Sequence, residues 1–251
     1  MTAAAGAMAG GFVAGGPMAG GFVVGVDGGV ASGKSTLVRA LADRLAAAPV
    51  PEYPPHPDER PGVEPPADAP SRWQMQRHYL DAEDRRARSL APQARAVLDR
   101  TVVSQAAHVA ALGHTGGPDL RLRLADWLDS GRVASGQAAS DQGASGQPAS
   151  GRVVEPDVVV ILTGRHDEAR ARCADRESGP DRLNTAALFV DPAYQEAYDA
   201  FLLQLARLLP HRIALFPACP EPQSVLERLL SQSAGRSEPA LAGTLATQLR
   251  G

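Results

Sequence analysis

Gly25-Val26-Asp27-Gly28-Gly29-Val30-Ala31-Ser32-Gly33-Lys34-Ser35-Thr36 is the stretch whose reading decides the fold. It passes from the end of an apolar strand through a glycine-rich loop into a helix start. Gly28 to Ser35 satisfies the pattern G-x-x-x-x-G-K-[ST] at every fixed position. Glycines let consecutive backbone N–H groups turn inward as an anion nest, and the following helix adds the positive end of its dipole at the same point. Gly28, Gly29, Val30, Ala31, Ser32, Gly33, Lys34, Ser35 and Thr36 therefore read as the cradle of a triphosphate. In that cradle Lys34 neutralises the β- and γ-phosphates, and the Ser35 hydroxyl is a ligand of the Mg²⁺ that bridges them.

The neighbouring residues agree, with Phe22-Val23-Val24 as the strand before the loop and Leu37-Val38-Arg39-Ala40-Leu41 as the helix after it. Lys34 is also the only lysine among the 25 Lys plus Arg residues. A compact ammonium on a flexible stem fits a crowded phosphate loop where a planar guanidinium does not. The exception to arginine thus falls where chemistry forbids the exchange.

The 251 residues suffice for one α/β domain with loose additions, or for two small domains. A formal charge of -3 gives no general affinity for polyanions, which argues against a nucleic-acid polymer as partner. Two cysteines, Cys173 and Cys219, leave no disulfide framework and point to a reducing, cytoplasmic location. The six histidines are scattered and show no metal-ligand spacing. Residues 1 to 26 carry no charged side chain, yet they lack a basic start and run directly into the phosphate loop, so they read as neither a secretion signal nor a membrane span. Met8 to Val13 recurs as Met18 to Val23, and only the second copy can feed the loop. The expected organisation is a disordered extension over 1–17, one domain over 18–230 and a frayed tail over 231–251.

Along the chain, the first helix is expected to fade near Ala48, and Pro49 to Tyr53 reads as a second strand ending in the acid Glu52. Residues 54–70, rich in Pro, Asp and Glu, read as a flexible insertion. A helix follows over Ser71 to Leu90 with Ser71 as its cap. Trp73, Gln76, Tyr79, Leu80 and Glu83 lie near one face of it, and Glu83, Asp84, Arg85, Arg86 and Arg88 read as an exposed, ion-paired surface. Ala94 to Leu98 is an apolar run that delivers Asp99-Arg100-Thr101 at its carboxyl end, the edge at which doubly wound sheets bind ligands. Thr101 to Leu112 reads as a helix, continued by amphipathic spacing over Leu120 to Leu128. Residues 129–152 carry serine at 130, 135, 140, 145 and 150, a repeat with nothing to bury, and read as a second flexible insertion. Asp157 to Leu162 is the expected central strand, followed by a helix bearing Arg165, Arg170, Arg172 and Arg176. Pro192 to Leu209, Arg212 to Phe216 and Gln223 to Leu230 complete the chain as helix, strand and helix. The sum is an α/β fold of three layers, with a five-stranded parallel sheet and helices on both faces.

At this point the chain resembles the thymidylate kinase and deoxynucleoside kinase group of P-loop NTPase folds. Asp27 to Thr36 is similar to the group's acid-Gly-x-x-Gly-x-Gly-Lys-Ser/Thr loop, with Ala31 in place of its middle glycine; Gly29 to Lys34 is also similar to uridine kinases. Asp99-Arg100-Thr101-Val102-Val103-Ser104-Gln105-Ala106-Ala107 resembles the Asp-Arg-x-x-x-Ser-x-x-Ala motif of thymidylate kinases. Arg172 and Arg176 match the group's R-x-x-x-R lid over ATP, and Phe216 to Pro220 occupies the place of its adenine-holding segment. Pro51-Glu52-Tyr53-Pro54 is similar to the Glu-Pro of deoxynucleoside kinases without matching it, and the arginine motif of thymidylate kinases is missing there.

The resemblance implies an ATP- and Mg²⁺-dependent kinase of a nucleoside or nucleoside monophosphate. Asp99 then joins Ser35 at the metal or takes the acceptor's proton, and Arg100 clamps an acceptor phosphate. Arg172 and Arg176, at i and i+4, reach the transferring phosphoryl group. Glu52 supplies a general base if the acceptor is a neutral hydroxyl. Trp73, Gln76 and Tyr79 line the base pocket. Two other readings stay open: a nucleotide-binding regulatory protein that transfers nothing, and a kinase of another small metabolite. The expected partner is a small-molecule acceptor, with a homodimer admitted and no membrane.

Overall fold

The computed structural model describes residues 22–53, 68–90, 95–113, 117, 120–121, 124–125, 156–164, 166–177 and 191–233. The expected extension at 1–17, most of the insertion at 54–70, the repeat at 129–152 and the tail beyond 233 lie outside them.

Five strands form one sheet: β1 (Phe22–Gly28), β2 (Ala48–Val50), β3 (Arg95–Asp99), β4 (Val158–Thr163) and β5 (Ile213–Pro217). Their order is β2-β3-β1-β4-β5, and every pairing is parallel. The helices are α1 (Lys34–Leu45), α2 (Ala69–Ser89), α3 (Val102–Ala111), α4 (His166–Glu177), α5 (Pro192–Leu208) and α6 (Pro222–Ser233). Residues 120, 121, 124 and 125 are helical as well.

Strand β4 shows why the fold has three layers. Val158, Val160 and Leu162 point to one face and pack with Leu37, Leu41 and Leu45 of α1 and Val225, Leu226 and Leu229 of α6. Val159 and Ile161 point to the other, against Val103 and Ala107 of α3 and Tyr198, Leu202 and Leu205 of α5. A strand buried on both sides has no reason to alternate polar and apolar residues, which is why its sequence is a continuous β-branched run. Among the described residues no helix is long and apolar enough to cross a membrane.

Several boundaries differ from the sequence reading. The first helix stops at Leu45, because Ala46 turns into left-handed backbone (φ 48) and its N–H closes the helix on the Ala42 and Asp43 carbonyls. Strand β2 accordingly begins at Ala48 and ends at Val50, so Glu52 stands in the loop beyond it. The long helix begins at Ala69 with Asp68, not Ser71, at its head: the Asp68 carboxylate accepts the Ser71 N–H at 2.9 Å, which holds its pKa below the ordinary range. Pro70 then sits in the first turn, where a missing N–H costs nothing. Helix α6 runs on to Ser233, past the expected end of the domain.

Candidate active site

The glycine-rich loop leaves β1 in the middle of the sheet, with β3 on one side and β4 on the other. Chain direction across the sheet reverses here, the place where open α/β sheets hold their ligands. Gly28 adopts φ +144, and a Cβ there would lie 2.5 Å from the Leu162 carbonyl oxygen. Gly33, the residue before α1, adopts φ +91 with Cys219 packed on it, a Cβ falling 3.0 Å from the Cys219 Sγ. Both fixed glycines of the motif are therefore required by backbone conformation and by space.

Ala31, which replaces the glycine of similar loops, also has positive φ (54). A side chain there costs about 1 kcal/mol or more, and the loop holds the conformation through its neighbours. The Arg172 Nε of α4 donates to the Ala31 carbonyl at 2.8 Å, and the Cys219 N–H donates to the Ser32 carbonyl at 2.9 Å. The segment after β5 thus lies directly against the loop.

Lys34 is only 6% exposed, and its Nζ donates to the Gly29 carbonyl at 2.7 Å. Burial, with Arg100 nearby, pulls its pKa down to about 7, while Glu52, Asp99 and Asp27 pull the other way. Residues from three strand ends thus act on one ammonium group. Ser35 and Thr36, by contrast, keep their side chains exposed at the start of α1.

Asp27, the residue before the loop, is fully buried. It accepts the Thr101 N–H at 3.0 Å and the Thr101 hydroxyl at 2.6 Å, and the Ser104 hydroxyl also donates to it. Burial raises its pKa against the pull of these hydrogen bonds. The Tyr198 hydroxyl of α5 donates to Ser104 at 3.1 Å, and the Arg100 Nη1 approaches the same hydroxyl at 3.5 Å. Burial pushes the Tyr198 pKa up to about 12, so it remains a neutral donor. A buried polar chain therefore ties the phosphate loop to the tip of β3. Sequence reading passed over Asp27 and Tyr198 as site residues; the one available signal was a lone acid at the end of an apolar strand.

At the tip of β3, Asp99 is buried, and its Oδ1 has no hydrogen-bond partner among the described residues. Arg100 next to it forms an ion pair with Glu52. Burial works against the Arg100 charge, but Glu52, with Tyr198 and Tyr194, holds its pKa above the ordinary value. Glu52, Asp99, Arg100 and Lys34 are thus gathered at one place.

From α4, Arg172 pairs with Glu168 at 3.6 Å, and its buried Nη2 has no hydrogen-bond partner among the described residues. Arg176 lies one turn further along α4 with its side chain outside the described residues. Arg165 is also outside them, and Arg170 is exposed.

The α2 residues are divided. Trp73 is 41% exposed. Gln76 is buried, and its Oε1 accepts the Gly117 N–H at 2.7 Å. A Cβ on Gly117 would lie 3.2 Å from Trp73 and 3.3 Å from Gln76, so these two side chains flank the same point. Tyr79 is buried against Tyr53, with ring centroids 5.9 Å apart. Glu83 and Arg86 are not the exposed face expected from sequence: Glu83 is buried, and the two pair at 3.3 Å.

The donor set suits a magnesium nucleotide. It offers an exposed serine hydroxyl at the helix start, a buried carboxylate oxygen at the neighbouring strand tip and an arginine Nη2 with a donor to spare. Among the described residues no cluster of three or more His, Cys, Asp or Glu side chains is arranged to hold a metal unaided.

No family model and no curated protein matches the sequence. Solved structures do. A thymidylate kinase from Candida albicans is 18% identical, with a TM-score of 0.51 over 85% of this chain and 91% of that one. A deoxyadenosine kinase from M. mycoides, solved with dATP bound, is 13% identical with a TM-score of 0.44 over 85% of this chain and 100% of that one. The first of these likenesses shows the fold: the five-stranded parallel sheet with helices on both faces is shared with that thymidylate kinase structure.

Proposed function

We propose that this chain is an ATP- and Mg²⁺-dependent phosphotransferase acting on a nucleoside or a nucleoside monophosphate. The observation that carries the reading is the convergence on Lys34: the single lysine of the sequence is buried in the phosphate loop, and Asp99, Arg100 and Glu52 act on it from neighbouring strand ends. A phosphate donor site and a charged acceptor corner then share one centre.

In this reading the backbone N–H groups from Gly28 to Ser35 and the Lys34 ammonium hold the β- and γ-phosphates of ATP. Ser35 and Asp99 hold Mg²⁺, which supplies charge neutralisation across those phosphates. Arg172, already bonded to the loop through Ala31, turns its remaining Nη2 donor to the transferring group, and Arg176 adds to it from the same helix. Arg100 positions the acceptor, with Glu52 either as its counter-ion or as a proton acceptor. On the α2 side, Trp73, Gln76 and Tyr79 form the base-binding wall. Catalysis is then positioning and charge neutralisation, with little covalent work for the protein. The reading places the enzyme in the cytoplasm, in keeping with free thiols at both Cys173 and Cys219.

The test is ADP release from ATP across a panel of nucleosides and nucleoside monophosphates. ADP formation that depends strictly on one such acceptor supports the reading. Tight MgATP binding without turnover supports a regulatory protein instead, and turnover only with an unrelated metabolite would move the acceptor class.

A pH dependence follows from Lys34. At about pH 7 the ammonium is half deprotonated in the free protein, whereas phosphates at the loop favour its charged form. Binding therefore takes up a proton, and MgATP affinity falls above pH 7, approaching about tenfold per pH unit. Isothermal titration calorimetry at pH 8 in buffers of different ionisation enthalpy should report net proton uptake. An affinity constant from pH 7 to 9 would show that Lys34 takes up no proton when the nucleotide binds.

A further inference from the structure

We infer that Arg86 of α2 is a positioning residue for the acceptor corner: it fixes the backbone from which Asp99 and Arg100 present their side chains. The inference rests on the roles given above to those two residues. Arg100 has φ 66, a left-handed conformation that a non-glycine residue keeps only where its surroundings over-determine it. Its own N–H continues the β3–β1 ladder by donating to the Val26 carbonyl at 3.0 Å. The next N–H, of Thr101, goes to Asp27. Strand β1 thus secures the N–H groups of the corner.

The carbonyls are secured from the other side. The Arg86 Nη2 donates to the Arg100 carbonyl at 3.2 Å, and its Nη1 to the Asp99 carbonyl at 3.4 Å. One planar guanidinium spans two consecutive carbonyls, which a lysine ammonium cannot reproduce with the same fixed geometry. Arg86 is held in turn by Glu83 at 3.3 Å and by the Tyr53 ring, its guanidinium carbon 4.6 Å from the ring centroid. Tyr53 follows Glu52 in the chain. Arg86 therefore touches the residue next to one member of the Glu52–Arg100 pair and the backbone of the other. Its hold sets where that pair stands relative to the phosphate loop.

The test compares Arg86→Met and Arg86→Lys with the wild type in acceptor kinetics, MgATP affinity and NMR. Lysine keeps the charge opposite Glu83 and most of the apolar stem but loses the fork. In both variants kcat/KM for the acceptor should fall about 100-fold, the size of loss expected from a misplacement near 1 Å, while MgATP affinity stays at the wild-type value. Glu83→Gln, which loosens Arg86 without removing it, should shift the same quantity in the same direction by less, and it stands in if Arg86→Met does not fold. Wild-type kcat/KM in Arg86→Lys would overturn the inference, as would equal losses in acceptor and nucleotide binding. The Arg100 Nε–H resonance, assigned by its disappearance in Arg100→Met, reads the corner without any acceptor. It should be protected from exchange in the wild type and exposed in Arg86→Lys; unchanged protection would also overturn the inference. If no panel compound is phosphorylated, the kinase reading fails while this resonance still decides the role of Arg86.

Discussion

Lys34→Ala should abolish the proposed acceptor-dependent ADP formation, with a loss of about 1,000-fold, and leave the fold intact. The size follows from removing a preorganised charge aimed at the phosphates inside a site that excludes water. The intact fold follows from the state of the side chain. Lys34 is buried, its charged form is disfavoured enough to bring its pKa to about 7, and its ammonium donates to the Gly29 carbonyl. An ammonium in that position is retained for its ligand rather than for the stability of the free protein. Lys34→Met, which keeps the volume and removes a charge that burial disfavours, should melt no lower than the wild type at pH 7 and be as inactive as the alanine variant.

The linkage has a definite sign. Because the folded pKa of about 7 lies below the ordinary lysine value of 10.5, the unfolded chain binds more protons between those values. Lys34 therefore adds stability as pH rises through that window. Wild type should gain stability relative to Lys34→Met between pH 7 and 10 in denaturant titrations. Retained turnover in either variant, or a wild type that loses ground to Lys34→Met over that range, contradicts the assignment.

How much of this was legible in the sequence depends on which interactions are local. The place and conformation of the glycine-rich loop were readable because its glycines fall where the backbone turns from β1 into α1. The five parallel strands were readable because burial on both faces erases alternation, as in Val158 to Leu162. The switch at Ser71 and Asp68 was a local choice between two good caps, which Pro70 in the first turn resolves in favour of Asp68. Glu83 and Arg86 were not readable. At i and i+3 they look like any surface pair, and only the docking of α2 against the tip of β3 decides that their face is inside. The Asp27–Ser104–Tyr198 chain was likewise hidden, since Asp27 and Tyr198 come together only through the packing of α5 on the sheet. Sequence spacing records the phase of a helix relative to itself, not the neighbour it will meet.

That limit bears directly on the acceptor, because the Glu52–Arg100 pair is a tertiary contact whose meaning depends on what binds beside it. Glu52→Gln separates the two candidate acceptors by the sign of its effect. A nucleoside presents a neutral hydroxyl whose proton must leave, so losing the carboxylate removes a general base and lowers kcat about 100- to 10,000-fold. A monophosphate brings an anionic oxygen that needs no base and is repelled by the carboxylate. Removing that charge then frees the Arg100 guanidinium, and KM for the monophosphate falls while kcat holds. Arg100→Met should lose activity in both cases, by the few kcal/mol typical of truncating one partner of a hydrogen-bonded charge pair, because its guanidinium is drawn both to Glu52 and to the Tyr198 hydroxyl. Steady-state kinetics of the two variants with a nucleoside and its monophosphate decide between the cases. Wild-type parameters in both variants with both acceptors would show that the pair only braces the sheet edge, and the acceptor would have to be sought elsewhere on the protein.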